Sequence, residues 1–485
     1  MLQNKDIKNL SELKSLFVHK HKKEEFFTNF IDILKIGKYH AIFSNVKQKG
    51  ISSLILIKIL ISFQFIGVDN VFSFTRSYWD KTVGFGKDAY YRLKNNSKVN
   101  WRAFLFGVVK QALLTIAQRE DLYEQKSSSI SAFVFDDSPL EKTGKKIEGV
   151  SRIYNHVIKK HILGFQLLVM GLYDGTMFIP VNFSLHREKG NNKRMPFGLK
   201  PKHYKNQINK KRDNKTSGSK RKKELDISKI KSVARMITDA VKRGITADYV
   251  LTDSWFTCWG LVKATLKNNM QYIGMFSKPT TKFTYNNKKL TYKEIRRINR
   301  KNIKRNKRFK LYYIRTVVEW NGQKVVLYST RKGKNGKWKV IISTDLSLNF
   351  TKTLEIYQIR WSIEVFFRES KQMLNLGKSQ SIDFDAQIAD TTITMIQYIF
   401  LALANRIEKY ESLGKLFKNT KEAVVELKLH DRLIALLIAI IDIIASLFKD
   451  ADSEDLFTTI INDDKAFEKI RLLINSQNSF YKQVA

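Results

Sequence analysis

Hydrophobic residues recur at helical spacing between residues 355 and 376, where no Gly or Pro interrupts the pattern. The pattern predicts one helix with an apolar side for a protein core, formed by Ile356, Ile359, Ile363, Phe366, Phe367 and Leu374. A neighbouring wedge of about 60° collects four polar side chains: Tyr357, Arg360, Glu364 and Lys371. A carboxylate between two cations stays ionised and can hold a metal ion, while the cations hold phosphate. A solvated face with i,i+4 ion pairs is the alternative for this helix alone.

Two apolar runs of strand length lead into acidic residues. Residues 131–136 end in Asp136, which Asp137 follows, and residues 248–252 are followed by Asp253. Ligands collect at strand ends along the edge of an α/β sheet, so acids at such positions are candidates for a site. An acid after a strand also serves as a turn residue or a helix cap, which is the structural alternative for each of them.

Further strand patterns surround these two runs and predict a mixed sheet. Residues 164–186 read as a hairpin around an Asp174-Gly175 turn, and residues 337–344 form the last strand before the polar helix. Residues 272–335 contain several strand patterns around a stretch rich in Lys and Arg. We interpret this region as a β-rich insert with a surface for nucleic acid.

Other segments are predicted to be helical or basic. Residues 226–243 predict an amphipathic helix, and residues 200–223 predict a mobile basic loop that serves either phosphate contact or plain solvation. The sequence predicts largely helical structure from residue 11 to about residue 119 and again beyond residue 383. Residues 88–105 predict two helices around a polar turn, which form either an ordinary helical hairpin or a helix-turn-helix-like unit. The second alternative would present to DNA Tyr90, Tyr91, Arg92, Lys94 and Lys98.

The charge balance indicates a polyanionic partner. Lys and Arg number 87 against 45 Asp and Glu, which gives a formal net charge of +42 over 485 residues. Nucleic acid or an anionic membrane surface would neutralise such an excess. The single cysteine, Cys258, excludes a disulfide framework and a multi-cysteine zinc site. The apolar runs 51–67 and 433–448 are shorter than the ~20 residues of a spanning helix, so both predict buried core or dimer-interface helices.

The spacing of the four polar residues on the predicted helix carries a family resemblance. Tyr357, Arg360, Glu364 and Lys371 are separated by two, three and six residues in turn. This spacing is similar to the signature of DDE insertion-sequence transposases of the IS-four type. The resemblance covers about residues 131–376 and is specific, because four residue types recur at fixed distances.

Three other motifs resemble the same family. The DDS sequence that begins at Asp136 is similar to the first acidic motif, in which the acid precedes one variable residue and then Ser or Thr. That pattern favours Asp136 and leaves Asp137 open. The TDSWF sequence around Asp253 is similar to the second acidic motif. Trp338 lies where relatives carry a Trp that stacks on a flipped base, and a core aromatic is the alternative for it.

The resemblance implies an α/β fold with an RNase H-like mixed-sheet catalytic core, a β-rich insert, and helical N- and C-terminal regions. The implied regions are residues 1–125 (helical, DNA-binding), 126–271 (first part of the core), 272–335 (basic insert), 336–380 (second part of the core, with the Glu helix) and 381–485 (helical, for dimerisation).

The resemblance also implies a site and an activity. The catalytic acids and ligands of two Mg²⁺ ions, for which Mn²⁺ can substitute, would be Asp136, Asp253 and Glu364. The side chains on DNA would be Tyr357, Arg360 and Lys371 at phosphates and Trp338 on an extruded base. Water would attack first and free a 3′-OH, which would then attack the other strand or target DNA in cut-and-paste movement. The partners would be double-stranded terminal inverted repeats and target DNA, bound by a homodimer in the bacterial cytoplasm at the nucleoid, without a membrane.

Other classes of function stay open on the sequence alone. A nuclease with the same core would cut DNA without strand transfer. A non-catalytic basic DNA-binding protein would need no set of three acids. A membrane-surface protein is disfavoured, because the basic residues are spread along the chain rather than placed beside an apolar anchor.

Overall fold

The computed structural model of the chain describes residues 34–46, 49–76, 86–122 and 130–408. The chain divides into two compact units, and the larger one comprises residues 31–64 and 69–413. Of the smaller unit, the structure describes only residues 65–68. The predicted apolar helix at 433–448 and most of the predicted C-terminal region lie outside the described residues.

Helices and strands alternate through the described ranges. The helices are α1 (His40–Ser44), α2 (Ser53–Ser62), α3 (Val71–Thr75), α4 (Lys87–Lys94), α5 (Trp101–Leu122), α6 (Pro201–Lys205), α7 (Ser217–Glu224), α8 (Lys229–Lys242), α9 (Trp259–Lys267), α10 (Tyr292–Ile298), α11 (Phe350–Gln358), α12 (Trp361–Met373) and α13 (Phe384–Glu408). The strands are β1 (Ala132–Glu141), β2 (Ser151–Asn155), β3 (Lys160–Tyr173), β4 (Phe178–His186), β5 (Tyr249–Thr252), β6 (Gln271–Phe276), β7 (Lys282–Tyr285), β8 (Lys288–Thr291), β9 (Lys304–Asn306), β10 (Leu311–Trp320), β11 (Gln323–Lys332) and β12 (Lys339–Ser343). Short 3₁₀-helices cover Ile36–Tyr39, Pro196–Gly198 and Asn299–Asn302.

These strands form one mixed sheet. Its order is β2-β3-β1-β5-β6-β12-β11-β10-β7-β8, with β4 also paired to β3 and β9 to β10. Strands β1, β5 and β6 run parallel, whereas β3 is antiparallel to β1 and β12 is antiparallel to β6. The predicted mixed α/β architecture is therefore confirmed.

The apolar strands at the centre of the sheet are covered on both faces. Strand β4 is buried at every position, and β3 is buried from residue 162 to residue 172. Continuous apolar strands of this kind are typical of a sheet with helices on both faces. Helices α5, α8 and α13 pack against β4, and α12 packs against β1.

The predicted hairpin and the amphipathic helix that follows it are confirmed. Strands β3 and β4 pair across the Asp174-Gly175 turn, where Gly175 has a φ of +104° that suits glycine. Helix α8 begins after Ser228, whose side chain accepts a hydrogen bond from the Lys231 amide. It buries the predicted apolar side, including Val233.

The basic segment 200–223, predicted as a mobile loop, instead forms α6, most of α7 and a connection held by ion pairs. Arg212 makes two hydrogen bonds to Glu148, at 2.7 and 2.6 Å, and a third to Asp385 at 3.0 Å. Its side chain is only 4% exposed. The prediction is wrong because a run of charges does not reveal the buried carboxylates, distant in sequence, that neutralise it.

The two helices predicted around residues 95 and 96 are present as α4 and α5. Tyr90 is completely buried and therefore cannot face DNA, which corrects one member of the predicted DNA surface. Lys94 forms an ion pair with Asp390 at 2.7 Å. A DNA-binding role for the remaining residues of this hairpin stays a prediction.

The single helix predicted over residues 355–376 is two helices. Helix α11 ends at Gln358 and α12 begins at Trp361. Between them, the amides of Ile359 and Arg360 bond to carbonyls three residues earlier, at 3.1 Å each. This is a 3₁₀ turn, which tightens the chain while the backbone stays right-handed. Residue periodicity could not reveal it, because no Gly, Pro or polar cluster marks the turn.

The insert continues the sheet outward from β12. Strand β11 pairs with β12, and β10 pairs with β11 across an Asn321-Gly322 turn in which both residues have positive φ. Strand β6, which falls inside the predicted insert, pairs in parallel with β5. The domain boundaries stay predictions.

Two apolar helices are buried within the larger unit. Helix α2, from the apolar run at 51–67, buries Leu56, Ile57, Leu60 and Ile61, as predicted. Among the described residues, Phe384–Arg406 in α13 is long and apolar enough to cross a membrane, yet 94% of its most apolar window is buried inside the protein. Core helices that are apolar all round have the same composition.

Candidate active site

The two predicted aspartates lie at one edge of the sheet. Strands β1 and β5 pair in parallel up to Val134 and Leu251. Asp136 and Asp253 each follow two residues later, so the register brings both acids to the carboxyl end of the parallel pair. Strand β1 does not end at Asp136 as predicted, because β3 pairs with it along its whole length, with Asp136 opposite Val169.

The two neighbouring aspartates of β1 have opposite environments. Oδ2 of Asp136 lies 3.4 Å from Nη1 of Arg360, on the face of the sheet that α12 covers. Side chains alternate along a strand, so Asp137 points to the other face. There its Oδ2 lies 2.8 Å from Nζ of Lys229, the first residue of α8.

Arg360 connects two of the three predicted acids. Its guanidinium donates to Asp136 through Nη1 and to Glu364 through Nη2. The 3₁₀ turn makes Arg360 the residue that precedes α12, and Glu364 follows in the first turn of that helix. One cation thus neutralises a carboxylate on the sheet and a carboxylate on the helix.

Asp136 does not ionise easily. Its pKa is raised to about 7, chiefly by burial and also by the charges of Asp137 and Asp253. The hydrogen bond from the Asp137 amide and the charge of Arg360 act in the opposite direction. A divalent cation beside these carboxylates would favour their charged forms.

Asp253 begins a turn that its own carboxylate holds. Oδ1 accepts hydrogen bonds from the amides of Trp255 at 2.9 Å and Phe256 at 3.2 Å. The turn alternative for this acid is therefore correct for one of its oxygens. Among the described residues, Oδ2 has no hydrogen-bond partner, so it can serve as a ligand.

A network of buried hydroxyl groups stabilises the Asp253 turn. Tyr272 is fully buried, and its phenol lies 2.6 Å from Thr252 Oγ1 and 2.9 Å from Thr257 Oγ1. Thr257 in turn donates to the Asp253 carbonyl at 2.9 Å. A Cβ at Gly274 would come within 2.6 Å of Thr257 Oγ1, so the network fits only a glycine there. The sequence gives no signal for this support, because its members are joined only by the fold.

The other two signature residues also reach the acidic edge. The Tyr357 phenol donates to the carbonyl of Thr252 at 3.3 Å. Lys371 Nζ donates to Ser138 Oγ at 2.6 Å and to the Pro139 carbonyl at 3.1 Å. Burial raises the pKa of Tyr357 to about 12 and lowers that of Lys371. Both donors are therefore positioned by protein oxygens in the absence of DNA.

Trp338 lies at the same edge of the sheet, beyond the start of β12. The pairing of Val340 with Phe276 sets this position, because β6 runs parallel to β5. The ring is half-buried, and guanidinium carbons lie over it at 4.7 Å from Arg331 and 5.1 Å from Arg296. A base that stacked on this ring would have to displace one of the two cations.

The three predicted acids supply only oxygen donors, which Mg²⁺ prefers. In the described part of the chain, no three His, Cys, Asp or Glu side chains converge closely enough to hold a metal ion. The guanidinium of Arg360 lies between Asp136 and Glu364 instead. The donor set thus fits a hard divalent cation, and closure around one requires Arg360 to release a carboxylate.

Two family models match the chain. One, described as DDE superfamily endonuclease, matches residues 78–302, and the other, described as transposase DDE domain, matches residues 223–400. The first range contains Asp136 and Asp253, and the second contains Asp253 and Glu364. No curated protein matches the chain. The two matches support nuclease-type chemistry on DNA.

Proposed function

We propose that the chain, as a DDE transposase, moves an insertion sequence by cut-and-paste transposition. In this proposal it is of the IS-four type, with an RNase H-like core. It cuts DNA at the element ends and joins the freed 3′-OH to target DNA. The two family matches support the transposase class, and the four signature residues support the finer assignment.

One observation carries the proposal. Residues from three distant segments, Asp136, Asp253 and Glu364, are brought to one sheet edge where Arg360 alone neutralises two of them. A set with more acids than cations at the carboxyl end of parallel strands suits divalent metal ions and a phosphodiester.

Each residue of the site has a distinct role in the proposed reaction. Two Mg²⁺ ions bound to the three carboxylates, or Mn²⁺ in their place, would activate the attacking oxygen and stabilise the leaving oxygen. Arg360, which bonds to Asp136 and Glu364 in the structure, would hold a phosphate oxygen with its guanidinium. Lys371 holds a second phosphate from the far end of α12, and Tyr357 donates a hydrogen bond from the turn before it.

The acid on α12 provides the direct test, because the same helix contains a matched control. Glu364 is bonded to Arg360, whereas Glu369 accepts a hydrogen bond from Tyr398 at 3.5 Å, on the side that packs against α13. Glu364→Gln should abolish Mg²⁺-dependent cleavage of DNA that carries the sequences flanking the gene. Binding of the same DNA in a gel shift should stay close to wild type, because it depends on Lys and Arg.

The control variant Glu369→Gln should cleave at close to the normal rate. Cleavage by Glu364→Gln, or its loss in Glu369→Gln alone, would overturn the assignment of the third acid. The same reactions separate the rival functions. Joined products distinguish a transposase from a nuclease, and complete absence of cleavage by the wild type would favour a DNA-binding protein. The size of the protein–DNA complex tests the proposed homodimer.

A further inference from the structure

An exposed tryptophan stands two residues after Asp253. Trp255 is 52% exposed, although it lies between the catalytic turn and fully buried Phe256. Its position is fixed, because its amide binds Oδ1 of Asp253 at 2.9 Å and its ring meets the Phe256 ring edge-on at 4.9 Å. Large apolar rings are usually withdrawn from water when the backbone allows it. Here the backbone presents the indole at the edge of the site.

A lysine from another element lies against this indole. Nζ of Lys229 is 4.2 Å from the centre of the Trp255 ring, and 2.8 Å from Oδ2 of Asp137. The carboxylate of Asp137 and the ring together hold the ammonium group in place. Trp255 and Lys229 therefore form a preorganised pair of one aromatic face and one cation, which we call the indole–lysine pair.

The indole–lysine pair lies on the opposite face of β1 from the phosphate-binding residues. Asp136 contacts Arg360 on one face of the strand, and Asp137 contacts Lys229 on the other. A DNA backbone that reaches the acids between these faces would meet Arg360 on one side and the indole–lysine pair on the other. The pair matches the chemistry of a nucleotide, because a base stacks on an aromatic ring while a cation binds its phosphate.

We propose that the indole–lysine pair binds an unstacked nucleotide of single-stranded or melted DNA next to the cut. This proposal deepens the proposed function, on which it rests for the presence of a DNA strand at the acids. The base stacks on Trp255, and its phosphate takes Lys229 from Asp137. A base in an intact duplex cannot offer its face to the indole, so the pair distinguishes unpaired from paired DNA.

Binding without catalysis tests this directly. The probes are a labelled 20-nucleotide single strand of mixed sequence and its duplex, measured by fluorescence anisotropy in EDTA. Trp255→Leu keeps apolar volume but removes the π face, whereas Trp255→Phe keeps a stacking surface. Trp255→Leu should weaken single-strand binding by about 5- to 150-fold, the loss expected for one stacked base. Its affinity for the duplex should change by less than about twofold, since all bases of the duplex apart from the two end pairs are stacked on both sides. Trp255→Phe should retain most of the single-strand affinity.

Lys229→Gln supplies an independent arm of the same measurement. Removing one phosphate-binding charge should lower the salt slope of single-strand binding by about 0.7. The proposal is overturned if Trp255→Leu weakens both probes equally or neither, or if Trp255→Phe behaves like Trp255→Leu while both variants melt at the wild-type temperature. Failure of the proposed function would look different. Trp255→Leu would then still lose affinity for the single strand alone, and the wild-type protein would leave DNA uncut in Mg²⁺.

Discussion

Two neighbouring residues of β1, Asp136 and Asp137, have different partners on the two faces of the sheet. Asp136 is bonded to Arg360 and has a pKa raised to about 7 by burial, whereas Asp137 is paired with Lys229. Asp136 thus shares a cation with Glu364, the proposed acid of α12, whereas Asp137 contacts Lys229 on the opposite face of the strand. The environment therefore favours Asp136 as the first acid, where the motif leaves both open.

Asparagine substitutions at the two positions should separate them. Asp136→Asn should reduce Mg²⁺-dependent cleavage by at least about 100-fold, since even indirect changes at metal sites cost that much. Asp137→Asn should retain metal-dependent cleavage within about tenfold, because it removes no proposed ligand. Initial rates at several Mg²⁺ concentrations measure both effects. A dead Asp137→Asn enzyme beside an active Asp136→Asn enzyme would reverse the assignment.

Residue spacing grouped the candidate residues but not their partners. Tyr357, Arg360, Glu364 and Lys371 could be grouped because they are close in sequence and recur at fixed spacing. The partnership of Lys229 with Asp137 joins residues 92 positions apart, and nothing in either local pattern indicates it. Pairings of this kind are created by the fold and become visible only with it.

At the scale of secondary-structure elements, the turn between α11 and α12 changes which side chains of the predicted helix share a face. The 3₁₀ turn lies between Tyr357 and Glu364, so the two do not share a continuous helical wheel. Glu364 and Glu369 both lie within α12, so the predicted angle between them is unaffected. The two acids lie apart as predicted, with Glu364 at Arg360 and Glu369 at Tyr398, and the catalytic role of Glu364 stays a prediction.

A buried histidine of β4 bonds to the segment just before α8, and the stability that it contributes should depend on pH. His186 is buried; its Nδ1–H donates to the Ile227 carbonyl at 3.0 Å, and Nε2 accepts from Ser184 Oγ at 2.7 Å. Burial lowers the pKa of His186 to about 4. Between about pH 6.5 and pH 4 the unfolded chain therefore binds more protons, and stability falls as the pH falls.

The loss from this histidine should be about 2 kcal/mol at pH 5 relative to pH 7.5. His186→Gln does not titrate, so its melting temperature should decline less on acidification than that of the wild type. Thermal melts of both proteins at the two pH values make the comparison, and the carboxylates common to both cancel. Parallel declines would show that His186 is not the titrating group.

Across the whole molecule, the net charge of +42 is distributed unevenly between neutralised and exposed sites. Arg212 is bound to the buried carboxylates of Glu148 and Asp385, which neutralise its charge. Arg297, Arg300 and Lys301 are exposed cations of the insert and carry no ion pair within the described part of the chain. Composition alone could not distinguish these two populations.

Neutralising three exposed cations of the insert should therefore flatten the salt dependence of duplex binding. The variants are Arg297→Gln, Arg300→Gln and Lys301→Gln combined, and each phosphate that is no longer neutralised should reduce the slope by about 0.9. Arg296 is left unchanged, because its guanidinium lies over Trp338. The matched control replaces three exposed lysines on α8 and α9: Lys242, Lys263 and Lys267. Equal slopes for the two triple variants would assign the insert charges to solvent.

For the fold as a whole, local sequence patterns predicted individual elements but not the pairing between distant ones. Periodicity predicted β3, β4, β5 and α8, because each has a regular apolar pattern of its own. It could not predict that β6 and β12 join the insert to the core, since strand pairing is a relation between distant segments. It also could not reveal the buried carboxylates that convert residues 200–223 from a loop into ordered structure.

Because the sheet is continuous, it fixes the position of the insert relative to the three acids. The insert is attached through the β6–β12–β11 ladder, and a strand cannot slip by one residue without turning its side chains to the wrong face. DNA gripped by both the insert and the acids would thus be cut at a constant number of base pairs from the grip. The position of the cut would then be determined by the fixed distance between the insert and the acids, and not by the base sequence at the cut.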